Sequence, residues 1–227
     1  MEEERYVVQI DDDEIWFPNP RHGLENGLFA VGGDLSPKRL LLAYQYGIFP
    51  WFSFRDCLEP QWFCPMSRFV IFPSQIHISH SMRTLMNKHK YRCSFNEDFD
   101  GVIRGCGEVN GRFYKEGAWL NENIIQAYTR LHEMKYACSV EVWEGNELVG
   151  GLYGVLMYHS FIGESMFSRK PNTSKLALIF LAQFMEQHQM TMIDCQLETP
   201  HLKSMGGVHI DYEEYLRLLH SDKPHLG

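Results

Sequence analysis

The sequence predicts an α+β fold in which a β-meander is followed by one long apolar helix and then a closing strand. Three observations predict it. Residues 137–143 alternate and are rich in valine, residues 148–158 run long and apolar through Gly150, Gly151 and Gly154, and residues 161–167 follow a His159-Ser160 turn. Runs of this length and composition, bounded by turn residues, are strand signals. Glu144-Gly145-Asn146 supplies the hairpin between the first two. From Pro171-Asn172-Thr173-Ser174 to about residue 187 the chain is nearly all apolar, the pattern of a buried helix. Residues 191–197 read as a further strand.

The segments before the meander can be justified in order. Residues 1–66 form a small N-terminal α/β domain with Trp16-Phe17-Pro18-Asn19-Pro20, a Gly32-Gly33-Asp34 turn and one helix. Ser36 is a good N-cap and Pro37 fits the first helical turn. Leu40, Leu41, Ala43 and Tyr44 give that helix an apolar stripe, and Gly47 ends it. Ile48-Phe49-Pro50-Trp51-Phe52 then emerges as an extended aromatic segment. Around Cys64-Pro65 the chain passes into a larger unit, residues 67–227. A basic amphipathic helix is predicted over residues 79–88, with Ile78, Met82, Leu85 and Met86 on one face. Another is predicted over 122–134, where Ile124, Ile125, Tyr128 and Leu131 repeat at helical spacing. Meander, helix and strand in this order are the pattern of GNAT-type acyltransferases, and a fold alone does not give a function.

A chain of 227 residues with 44% hydrophobic and 22% charged side chains can bury an ordinary core. No run approaches the roughly 18 apolar residues of a membrane span. The opening Met1-Glu2-Glu3-Glu4 is acidic where a signal peptide would be basic, so the cytoplasm is the expected location. The six cysteines show no C-x-x-C pair, which disfavours zinc, and reduced thiols are expected. His77 and His80, three apart, read as surface residues for the same reason. The net charge of −8 argues weakly against a nucleic-acid partner. Its distribution argues otherwise: residues 60–96 hold no Asp or Glu, yet carry Arg68, Arg83, Lys88, Lys90 and Arg92. Such an island can bind phosphates or can be a solvated face, and charge alone does not choose.

Several segments then become diagnostic together. Gly32-Gly33-Asp34-Leu35-Ser36 leads to Ala43-Tyr44 and Gly47-Ile48-Phe49-Pro50-Trp51-Phe52. Later come Ser139-Val140-Glu141-Val142-Trp143, Leu148-Val149-Gly150-Gly151-Leu152-Tyr153-Gly154, Gly163-Glu164-Ser165-Met166-Phe167-Ser168, Ser174-Lys175 and Ile193-Asp194-Cys195-Gln196. In this order and spacing the chain resembles the leucyl/phenylalanyl-tRNA–protein transferase family, from about Phe17 to Tyr215. The resemblance implies a small N-terminal domain joined to a GNAT-like C-terminal domain. It also implies transfer of Leu or Phe, and Met less well, from aminoacyl-tRNA to proteins beginning with Arg or Lys. The product is a degradation signal. Neither metal nor organic cofactor is implied, and a monomer is expected.

The family's roles fall on residues that also have bland readings. Asp194 and Gln196 sit two apart on the predicted strand, so both should point to one face. The resemblance places Gln196 beside the attacking amine and Asp194 behind it, relaying its proton; otherwise Asp194 caps a buried hydrogen-bond network. Cys195 should point the other way, into core. Glu164 needs a partner because an isolated buried carboxylate is costly. The family reading gives it the acceptor's N-terminal Arg or Lys, and the alternative is an ion pair with Arg169 or Lys175. For the donor side chain the resemblance points to Leu152, Phe161, Met166, Leu178, Leu181, Met185 and Ile193, which composition alone would call core. It places the terminal adenine of the tRNA on Trp51 and lines the cleft with Trp119, each otherwise a packing residue. It puts Arg83 and Lys88, with support from Lys90 and Arg92, on the acceptor-stem phosphates, and it leaves His201 as structural. The competing reading is a CoA-dependent N-acetyltransferase. Its pyrophosphate loop would normally be rich in glycine, whereas residues 168–174 contain none and Pro171 removes a donor.

Overall fold

In the computed structural model, which describes residues 5–51, 59–109 and 122–221, the described strands form two sheets. The first is built from β1 (Val8–Ile10), β2 (Leu28–Gly32), then, after helix α1 (Pro37–Gln45), β3 (Phe49–Trp51) and β4 (Gln61–Phe63). Its order is β1-β2-β4-β3, with only the β1–β2 pair parallel. Helix α1 begins as its sequence dictates. Ser36 accepts from the Arg39 N–H, and Pro37 stands where a missing N–H costs nothing. It ends in a Schellman motif: Ile48 N–H donates to Ala43 O at 2.9 Å and Gly47 N–H to Tyr44 O at 3.2 Å. That turn needs φ +68° at Gly47.

The second sheet follows from β5 (Ser67–Ile71), α2 (His80–Asn87), β6 (Arg92–Phe95), α3 (Phe99–Val109), α4 (Glu122–Glu133), β7 (Ala137–Glu144), β8 (Glu147–Met157), β9 (Ser160–Ser168), α5 (Thr173–Gln187), β10 (Met192–Asp194), α6 (Pro200–Ser204), β11 (Val208–Asp211) and α7 (Tyr212–Leu219). Its order is β11-β5-β10-β9-β8-β7-β6. The expected meander is β7-β8-β9, and β10 joins it parallel to β9 after the α5 crossover. The fold is therefore α+β, with one large mixed sheet. Helices α2 and α5 pack in one apolar cluster, which holds Met82, Leu178, Leu181 and Met185. Helices α1, α3, α4 and α7 share the other cluster with the first sheet. None of the described helices is long and apolar enough to cross a membrane.

Two departures from the sequence reading matter for function. The strand expected over 191–197 stops at Asp194, because Gln196 takes the left-handed conformation at φ +62°. Gln196 is thus not two strand positions along from Asp194, and the shared-face argument fails for it. The second departure is a β-bulge. Tyr153 pairs with Ser165 and Gly154 with Gly163, so Glu164 is the extra residue on β9. Bulges re-aim side chains, and this one turns Glu164 out of the ladder. Gly154 permits it: a Cβ there would lie 2.2 Å from Ile162 O.

Gly47 carries a second constraint, since a Cβ on it would meet the Tyr215 ring at 2.4 Å. Gly47→Ala should therefore destabilise the protein by at least about 2 kcal/mol, from left-handed strain and overpacking together. Equilibrium denaturation measures it; a loss under 0.5 kcal/mol, roughly the scale of a neutral surface change, would contradict this account of the helix end.

Candidate active site

A cavity of about 510 Å³ opens between β8, β9, β10, α5 and α6. Leu152, Phe161, Met166, Leu178 and Ile193 supply apolar wall, and Glu164, Ser165, Asp194, Gln196, Thr199 and His201 supply polar wall. Pockets for small apolar groups have this make-up, mostly hydrophobic with a few placed polar atoms.

The bulge delivers Glu164 to three donors. Tyr44 on α1 donates to Oε1 at 2.8 Å, Tyr128 on α4 donates to Oε2 at 2.8 Å, and Gln196 Nε2 donates to Oε1 at 3.2 Å. The two tyrosine hydroxyls also bond each other. Burial pushes the Glu164 carboxyl up from 4.5 to about 7, against the pull of both tyrosines. Burial and the Glu164 charge hold both tyrosines well above their ordinary range, so they stay donors. The alternative ion pairs of Glu164 with Arg169 or Lys175 are not formed among the described residues: Arg169 reaches Glu108 at 3.1 Å and Leu148 O at 2.9 Å instead.

Asp194 is fully buried. Its Oδ1 accepts from Arg68 Nε at 2.8 Å and from the Gln196 backbone N–H at 2.8 Å. Its Oδ2 accepts from Arg68 Nη2 at 2.6 Å and from the Tyr215 hydroxyl at 2.8 Å. Four donors fill the acceptor positions of a carboxylate, an arrangement that holds its neighbours in place. Burial alone works against the Arg68 charge, but Asp194 outweighs it and raises Arg68 above its usual value. The guanidinium lies between the rings of Phe49 and Tyr215, 4.9 and 4.8 Å from their centroids. Arg68 belongs to the acid-free segment by sequence, and its burial removes it from any phosphate.

The other expected residues divide. Leu181 and Met185 do not line the cavity; both are buried on α5 in the core behind it. Cys195 does line it, in contrast to its expected inward direction, and burial pushes its thiol well above the usual range. His201, read as structural, also stands in the wall, and its buried Nε2 has no hydrogen-bond partner among the described residues. Trp51 is half-buried, edge-on to Phe63 at 5.4 Å, and is not part of the cavity wall. Trp119 lies outside the described residues. Lys90 pairs with Glu144 at 3.1 Å and Arg92 with Glu97 at 2.6 Å, so part of their charge is spent. Arg83 and Lys88 have no acidic partner among the described residues. No cluster of described residues could hold a metal ion.

Residues 70–220 match the family model described as leucyl/phenylalanyl-tRNA protein transferase, and residues 33–66 match the model of its N-terminal domain. Curated relatives carry the same name. One from Idiomarina loihiensis is 47% identical over 94% of this chain and 89% of its own. One from Salmonella arizonae is 48% identical over 94% and 91%, and one from Flavobacterium psychrophilum is 44% identical over 91% and 96%. The chain belongs to the leucyl/phenylalanyl-tRNA–protein transferase family. It is accordingly an aminoacyltransferase. Solved structures offer slighter likenesses. A conserved protein of unknown function from Bacteroides thetaiotaomicron matches with TM-score 0.46 and 11% identity, over 78% of this chain and 63% of that one. The PaiA N-acetyltransferase from Thermoplasma acidophilum, in complex with coenzyme A, matches with TM-score 0.34 and 11% identity, over 45% of this chain and 77% of that one. Likenesses this slight carry no argument.

The Glu164 shift has a stability consequence. The folded carboxyl keeps its proton up to about pH 7, while the unfolded one releases it near 4.5. The folded state binds more protons in that window, so this group's contribution to stability falls as pH rises through it. Relative to Glu164→Gln, the wild-type protein should lose stability between pH 5 and 8. A difference in denaturation midpoint that stays flat across that range would contradict the burial-driven shift.

Proposed function

We propose that this family member transfers Leu or Phe, and Met less well, from aminoacyl-tRNA to the α-amino group of proteins that begin with Arg or Lys. The modified terminus marks the protein for degradation. The observation that carries the reading is a single cavity with an apolar wall for an unbranched hydrophobic side chain and a Glu164–Gln196 wall for an amine.

The chemistry asks little of the protein. The amine nitrogen attacks the ester carbonyl carbon, the bond to the ribose oxygen breaks, and an amide forms. The proton leaves the nitrogen and ends on the ribose oxygen. Positioning supplies most of the acceleration. The amine must be neutral, and with a reference pKa of about 7.7–8.0 roughly 10–20% of it is so at pH 7. Gln196 donates its amide N–H to Glu164, which leaves its amide oxygen to accept from the amine. Glu164, when ionised, provides a charge-assisted contact for the acceptor's Arg or Lys side chain. Trp51 stacks the terminal adenine, and Arg83 and Lys88 meet the acceptor-stem phosphates. The protein works in the cytoplasm as a monomer, with no metal or organic cofactor.

The CoA reading loses support at the start of α5. Arg169 and Lys170 N–H both donate to Val149 O, Thr173 N–H to Lys170 O, and Ser174 N–H to the Ser168 hydroxyl. Backbone donors that a pyrophosphate would need there are already engaged.

Purified protein with radiolabelled leucyl-tRNA and an Arg-starting peptide should form leucyl-peptide. Transfer from acetyl-CoA and none from leucyl-tRNA would overturn the proposal. The cavity wall gives a sharper test. Leu178→Ala should change the Leu-to-Phe preference by about 10-fold or more, since a methylene or two in an apolar pocket is worth about 1–3 kcal/mol. Leu181→Ala should cost about 2–5 kcal/mol of stability with little change in preference; the opposite pattern would place the donor behind α5.

The phosphate contacts are tested by salt. Replacing Arg83 and Lys88 together with Ala should weaken binding of all tRNAs alike and flatten the salt slope by about one to two units. Trp51→Ala should instead cost roughly 1–3 kcal/mol and leave that slope nearly unchanged. Unaltered affinity and slope in the Arg83/Lys88 variant would make the basic segment a solvated face.

A further inference from the structure

We infer that Arg68 and Tyr215 are positioning residues for the transfer, acting through Asp194 to set the backbone of Gln196. The inference rests on the proposed aminoacyl transfer and adds residues to it that never touch substrate.

A non-glycine residue at φ +62° sits in a sparsely populated region and persists only where its surroundings hold it. Gln196 is held from two sides: its carbonyl accepts from Phe69 N–H on β5 at 3.4 Å, and its own N–H is fixed by a side chain. Its N–H donates to Asp194 Oδ1 at 2.8 Å, within a turn in which Leu197 N–H also bonds back to Cys195 O at 2.7 Å. The left-handed turn is what carries the Gln196 amide across to Glu164, 3.2 Å away on β9.

Asp194 can hold Gln196 only if Asp194 itself is fixed. Arg68 grips both carboxylate oxygens and Tyr215 fixes one of them. Arg68 comes from β5, next to β10 in the sheet, and Tyr215 from α7. The Phe49 ring of the first sheet covers one face of the guanidinium. The Tyr215 ring in turn lies against Gly47 at the end of α1. The contact between the N-terminal unit and the last helix is therefore continuous with the turn that aims Gln196.

Tyr215→Phe keeps the ring and removes one hydrogen bond. Its single-turnover rate of leucyl transfer, at saturating Arg-starting peptide, should fall about 10-fold, while leucyl-tRNA affinity stays within about twofold. The Gln196 amide hydrogen should exchange with solvent faster than in wild type. Gln196→Gly removes the side chain and tolerates the left-handed turn. In that background Tyr215→Phe should cause no further loss of rate, because its effect runs through Gln196. A purely structural role for Tyr215 would reduce the rate by the same factor in both backgrounds. That result, or an unchanged rate and unchanged Gln196 exchange in Tyr215→Phe alone, overturns the inference and leaves the transferase function standing. Wild-type protein that moves no leucine overturns the function and the positioning role together.

Discussion

The buried ion pair between Arg68 and Asp194 is the interaction on which the site depends. Burying two charges costs several kcal/mol each, and their attraction offsets that only with good geometry and every remaining hydrogen bond made. Here the geometry is bidentate, two further donors complete Asp194, and two aromatic rings sandwich Arg68. A pair of this kind is poor evidence of stabilisation, because an apolar pair of similar volume is often as stable. What it provides is a fixed meeting point. Strand β5, strand β10, the first sheet and helix α7 all converge on it, and one of its hydrogen bonds ends on the backbone of the cavity residue Gln196.

The second carboxylate in the site has different neighbours. Asp194 faces a guanidinium, while Glu164 faces two tyrosines and an amide, all neutral donors. Two carboxylates with such different neighbours have different tasks, as their environments set them apart. Glu164, titrating near neutrality, can gain or lose charge where an acceptor's cation arrives. Asp194, saturated with donors, holds its neighbours in place. The bulge at Glu164 and the left-handed turn at Gln196 are the two backbone irregularities that bring these residues to one cavity.

Much of this was legible in the sequence, for identifiable reasons. Helix α1 carries its cap, its proline and its terminal glycine within a dozen residues, and the meander carries its own turns. Local signals of that kind need no knowledge of the rest of the chain. Strands β5, β6 and β11 went unread because they are short and are defined by partners far away in sequence. Helix α3 was equally silent, with Gly101, Gly105 and Gly107 diluting its pattern. In the site, the apolar wall and the three polar residues were named in advance through the family resemblance. Their supports were not. Tyr44 and Tyr128 read as part of apolar helix stripes, yet a buried tyrosine hydroxyl needs a partner, and that need is the sequence signal for them. Arg68 reads as surface charge in an acid-free segment, although it leads straight into the apolar run Phe69-Val70-Ile71. Leu181 and Met185 could not be told from cavity residues, since both kinds are apolar and share one helix. The left-handed Gln196 had no signal, because no glycine marks it.

The central claim is that the buried pair exists to aim the site and not to stabilise the fold. The most direct measurement replaces both partners at once, as Arg68→Met with Asp194→Leu, and follows stability and single-turnover leucyl transfer in the same preparation. Either substitution alone should cost about 3–5 kcal/mol by leaving a buried charge unpaired. The account predicts that the double variant recovers most of that stability, while transfer remains at least 10-fold below wild type. A double variant that folds as well as wild type and transfers leucine at the wild-type rate would contradict it.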